Sequence, residues 1–117
     1  MDFQAEFNQS LKIFPSIEGI IFVDPDGESI LFEAPSMDSF DIQLTGARIP
    51  ILMSHYHLVG LKSKPVFLEI LYEKRFLLSI TLEQRYSITA ICNDTNDRAH
   101  LRDHLIILAA KFNQEIV

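Results

Sequence analysis

The stretch MDSFDIQLTGARIPILMSHYHLVGL, residues 37–61, decides the fold. Met37-Asp38-Ser39 reads as a helix start, with Ser39 or Asp38 as N-cap. At about 100° per residue, Phe40, Leu44, Ala47, Ile51 and Leu58 share one stripe. Ile42, Ile49, Met53 and Tyr56 share the opposite stripe, with Leu52 and Val59 at its flank. A helix on the outside of a monomer needs one apolar stripe. This one has two, so one covers the chain's own sheet and the other needs more of the chain or a partner. Gly46 and Pro50 interrupt the pattern. Pro50 removes a backbone donor and its ring crowds the Gly46 carbonyl, which predicts a kink or a helix in two pieces.

On the N-terminal side, Phe3, Phe7, Leu11 and Phe14 have the spacing of a short amphipathic helix, with Asp2 and Glu6 near its positive end. Pro15-Ser16 stops it. Ile17–Val23 is an apolar run read as a buried strand, and Glu28–Ala34 returns as its antiparallel neighbour. Between them Asp24-Pro25-Asp26-Gly27 supplies turn chemistry: Pro for the second position, Gly for positive φ. Asp24, Asp26 and Glu28 lack the bidentate Glu that a calcium loop places at its twelfth position, so a plain turn is expected.

On the C-terminal side, Val66–Tyr72, Phe76–Glu83 and Tyr86–Asn93 are separated by short polar links and predict an antiparallel meander. Neither link contains glycine. Phe76, Leu78, Ile80 and Leu82 lie on one side of the middle strand and Leu77 on the other, the pattern of a sheet covered by helices on both faces. Leu101, Leu105, Leu108, Phe112 and Ile116 mark a last helix over 97–116.

A chain of 117 residues is the size of one domain, here taken as residues 1–117. Ten Lys and Arg against sixteen Asp and Glu give a net charge of -6, which disfavours a nucleic-acid partner. The longest basic cluster is Lys62-Ser63-Lys64, and the basic residues are otherwise scattered. No apolar run approaches the ~20 residues of a membrane span, so no membrane insertion is expected. The Met-Asp-Phe-Gln start reads as no signal peptide. A single cysteine, Cys92, leaves no internal disulfide and fits a reducing, cytoplasmic compartment.

The element order is helix, strand, strand, helix, strand, strand, strand, helix. Glu18-Gly19 opens the first strand and Asp24-x-x-Gly27 turns it. Leu44-Thr45-Gly46-Ala47 and Leu58-Val59-Gly60 mark the second helix. This pattern resembles the Roadblock/dynein light chain superfamily, most of all its bacterial MglB-like members, over roughly residues 3 to 116. The resemblance implies an α/β sandwich with a five-stranded antiparallel sheet in the order 2-1-5-4-3. The middle helix covers one face and the other two helices cover the opposite face. It also implies homodimerisation through the middle helix and the strand after it, and binding of a Ras-like small GTPase. Members of the MglB kind accelerate GTP hydrolysis by rearranging that partner rather than by catalytic residues of their own. Pro50, Leu52, Met53 and Tyr56 are bulkier than a close helix–helix crossing favours.

Other chemistry is thinly represented. His100 and His104 share a helix face at i, i+4, but a zinc site needs further ligands and none has matching spacing. His55 and His57 do not converge, and surface histidines are expected. Cys92 sits in an apolar strand run, the place of a buried small hydrophobe rather than a nucleophile. Phosphate-loop and dinucleotide glycine motifs are absent, as are nucleophile-elbow glycines. No catalytic residues, cofactor or metal are therefore expected. Two readings stand. The first is a dimeric interaction module with Ile42, Ile49, Met53, Tyr56, Val66, Leu68 and Ile70 at the interface, and with Arg48, His55 and Tyr56 facing a GTPase. The second is a ligand-sensing domain of profilin- or PAS-like build, with a pocket lined by Phe22, Phe32 and Phe67.

Overall fold

The computed structural model describes residues 1–55 and 66–116. The elements are α1 (Phe3–Ile13), β1 (Ile17–Val23), β2 (Ser29–Glu33), α2 (Ser39–Ser54), β3 (Phe67–Leu71), β4 (Phe76–Thr81), β5 (Ser87–Cys92) and α3 (Arg98–Asn113). The strands form one sheet in the order β2-β1-β5-β4-β3, and every pairing is antiparallel. The expected strands are all present, with β2, β3 and β5 one residue shorter at each end and β4 shorter at its C-terminal end. The part of the middle helix expected beyond His55, with Tyr56, Leu58 and Val59, lies outside the described residues.

Each connection has a local cause. Asp2 caps α1 by accepting from the Ala5 amide, and Asp38, not Ser39, caps α2 by accepting from the Phe40 amide. At the β1–β2 turn the Asp24 carboxylate accepts from the amides of Asp26 and Glu28. Gly27 has φ +84, a conformation glycine adopts without steric cost. Its Cα faces the backbone of Ala47, where a Cβ would come within 2.9 Å of the carbonyl oxygen, so the hairpin tip abuts α2. The β4–β5 link has no glycine, and Gln84 and Arg85 take positive φ (56 and 65) themselves. The side chain of Asn113, at the end of α3, accepts from the Glu83 amide and holds this turn.

The sheet separates two cores. Phe7, Phe14, Phe22, Phe76, Leu105 and Phe112 belong to the core under α1 and α3. Phe3, Phe7 and Phe22 all stack or edge onto Phe112, with ring centroids 4.3 to 5.6 Å apart. Ile21, Val23, Leu68, Leu77 and Ile91 form the second core with Ile42 and Ile49 of α2. The helix α2 is continuous from Ser39 to Ser54 with Pro50 inside it, so the expected division in two does not occur.

Candidate interaction surface

The site is built on α2 and the edge strand β3. Two helix stripes of equal periodicity left the sequence neutral as to which faces the sheet, and the reading above placed them in the wrong roles. Ile42 and Ile49 are fully buried against the chain's own sheet, and Met53 packs half-buried beside them. Ile42 and Ile49 offer a partner no surface, and Met53 offers only part of its side chain. Gly46 sets this orientation: a Cβ there would meet Val23 Cγ1 at 2.8 Å and Ile21 Cδ1 at 2.9 Å. The only residue that lets the helix lie this close to two β-branched side chains therefore faces β1, not a neighbouring helix. A glycine within one stripe is the sequence trace of that orientation, and its steric reason exists only once β1 lies under the helix.

The opposite stripe is left in solvent. Phe40 is 66% exposed, Ile51 57% and Leu44 37%. Arg48 and His55, two of the residues expected to face a GTPase, are also exposed on α2. The third, Tyr56, lies outside the described residues. An open groove of about 560 Å3 separates the first half of α2 from the β3–β4 turn, with Leu44, Arg48, Tyr72 and Lys74 among its lining. On its sheet side Arg75 pairs with the largely buried Glu18 at 3.2 Å.

β3 is an edge strand, as expected. Leu68 is buried and Ile70 half-buried under α2, so of the three expected interface positions on this strand only Val66 is freely exposed. Leu71 and Tyr72 are more than half exposed and were missed. Exposed apolar residues thus lie both on the outer stripe of α2 and at the ends of β3, the kind of surface that marks an interaction site.

The remaining candidates are structural. Cys92 is buried at the base of the α1/α3 core, and burial pushes its thiol up to about 11, away from nucleophile chemistry. His100 is exposed, whereas His104 is not a surface histidine. Its Nε2 lies 2.7 Å from the Ser10 hydroxyl, which itself donates to the Glu6 carbonyl, so the imidazole N–H is the donor between them. Burial lowers the His104 pKa. Among the described residues no three His, Cys, Asp or Glu side chains are placed to hold a metal ion. No described helix is long and apolar enough to cross a membrane. Phe22 lies in the α1/α3 core and Phe32 against the α2 core, on opposite faces of the sheet. With Phe67 they line no common pocket, so the pocket expected for the ligand-sensing reading does not form.

No family model and no curated protein matches the chain by sequence. Solved structures match it by shape. A Roadblock/LC7 domain from Streptomyces avermitilis superposes with a TM-score of 0.81 at 12% identity, over 93% of this chain and 92% of that one. Myxococcus xanthus MglB gives a TM-score of 0.80 at 13% identity, over 99% and 95%. An MglB with a tetrameric arrangement gives 0.77 at 11% identity, over 96% and 85%. At these identities the likeness is one of architecture, and the chain has the Roadblock fold.

Proposed function

We propose that the chain is a single-domain, non-catalytic interaction module. Two copies pair through the outer stripe of α2 and the open edge of β3, and the dimer docks and regulates a Ras-like small GTPase in a cytoplasmic setting. The observation that carries this reading is that α2 leaves Phe40, Leu44 and Ile51 exposed while β3, at the edge of the sheet, has no second strand partner among the described residues. Burying such a side chain contributes roughly 1.5–3 kcal/mol, a gain that isologous pairing would collect twice. The shape likeness to MglB supports the same assignment. Arg48 and His55 are exposed on α2, and in this reading they would contact the GTPase once the two helices lie side by side.

The test is direct. Purified protein is added to Ras-like GTPases from the same genome, with co-sedimentation and GTP hydrolysis as readouts. One GTPase should bind, with altered hydrolysis or nucleotide exchange, and Arg48→Glu should weaken it. Failure of every such GTPase to bind or respond would overturn the regulatory part of the assignment and leave the pairing surface standing.

A further inference from the structure

The hydrogen bonds of β3 restrict how a second copy can add to it. The Thr81 amide donates to the Val66 carbonyl and the Tyr72 amide donates to the Arg75 carbonyl, and Phe67 to Leu71 pair in register with Ile80 to Phe76. Bonded pairs alternate along an antiparallel ladder, so positions 66, 68, 70 and 72 face β4. The N–H and C=O groups of Phe67, Glu69 and Leu71 therefore point to the open edge. A two-fold pairing of this strand with itself must match these three positions among themselves. Only one register uses all of them: Phe67 opposite Leu71 of the second copy, Glu69 opposite its own mate, and Leu71 opposite Phe67.

That register also places the side chains well. On the α3 side, Leu71, 65% exposed in the single chain, comes beside the second copy's Phe67. On the α2 side, Val66 comes beside Tyr72 and Leu68 beside Ile70. Every exposed apolar residue of the edge gains an apolar neighbour. Sliding by two residues in either direction sets Glu69 against Phe67 or Leu71 and forfeits a bonded pair. The remaining conflict is Glu69 against Glu69, since like charges directly opposite destabilise a sheet. Arg98 of α3 already forms an ion pair with Glu69, while Arg102 stacks over Phe67 with its guanidinium carbon 4.7 Å from the ring centre.

Resting on the self-pairing proposed above, we infer that the two-fold axis passes through Glu69, and that Arg98 is a specificity-determining residue. Its guanidinium neutralises the carboxylate pair at the seam, so two copies join in this register and no other. The seam is a four-charge cluster, two carboxylates flanked by two guanidinium groups, between paired Phe67 and Leu71 side chains.

The test compares dimer dissociation by sedimentation for wild type, Arg98→Ala, Glu69→Gln and the double variant. Arg98→Ala should weaken the dimer by roughly fivefold, the scale of a like-charge opposition. Glu69→Gln should leave it near wild type, the double variant should regain most of the loss, and Arg98→Lys should be tolerated. A Glu69→Cys chain should cross-link to its own mate under mild oxidation, since bonded cross-strand positions lie at about the Cα separation a disulfide needs. Leu68→Cys should not. A dimeric wild type with an indifferent Arg98→Ala and no Glu69→Cys cross-link would overturn this register while leaving the pairing intact. A monomeric wild type would overturn both.

Discussion

On the α1/α3 side of the sheet, β4 and the residue after it present Phe76, Leu78, Ile80 and Leu82, all buried in one core that two helices close. On the α2 side the same strand presents Leu77, then Ser79 hydrogen-bonded to Thr89, then Thr81. The first face is apolar throughout and its helices meet each other through Ser10 and His104 and through Glu6 and Lys111. The second is covered by one helix whose back is itself apolar. The contrast teaches that a helix can satisfy a sheet and still be unsatisfied: α2 spends Ile42, Gly46 and Ile49 on the chain and leaves Phe40, Leu44 and Ile51 for something else.

Truncation should separate the two faces most sharply. Phe112→Ala removes the ring on which three other phenylalanines converge and should cost about 3–5 kcal/mol in urea unfolding. Phe40→Ala, measured at a concentration low enough to keep the chain monomeric, should change stability by no more than about 0.5 kcal/mol. Equal losses would mean that α2 has no free back. Next in size is Gly46→Ala, whose new methyl would press on Val23 and Ile21 and should destabilise by roughly 1–3 kcal/mol. Leu44→Gly, on the exposed side of the helix, should cost little more than glycine's usual helix penalty of about 1 kcal/mol.

The strands and the first hairpin were legible because apolar runs with short links leave little choice, and Asp24-Pro25-Asp26-Gly27 names its own turn. The stripe assignment was not legible. Ile42, Ile49 and Met53 repeat at the same helical spacing as Phe40, Ala47 and Ile51, and periodicity carries no sign. Only the steric demand of β1, met by Gly46, breaks the tie, and it exists only once β1 lies under the helix. The β4–β5 turn was opaque for a different reason: Gln84 and Arg85 are held at positive φ by the ladder on either side and by Asn113. Replacing either by glycine should stabilise the chain by up to about 1 kcal/mol, seen as a higher melting temperature.

The smallest expected effect belongs to the closed face. Burial lowers the His104 pKa below its ordinary 6.5, so the unfolded chain takes up the proton first. Stability is then full above about pH 6.5 and declines as the pH falls below it. Thermal melts from pH 7.5 to 5 should show this decline, and His104→Asn should flatten it.

The central claim is that the back of α2 is a contact surface between two copies, and sedimentation velocity tests it most directly. At micromolar concentration the wild type should sediment at twice its 13.4 kDa chain mass, and Phe40→Glu with Ile51→Glu should sediment as a folded monomer. A wild type that stays monomeric at high micromolar concentration, or a double variant that remains dimeric, would contradict the account.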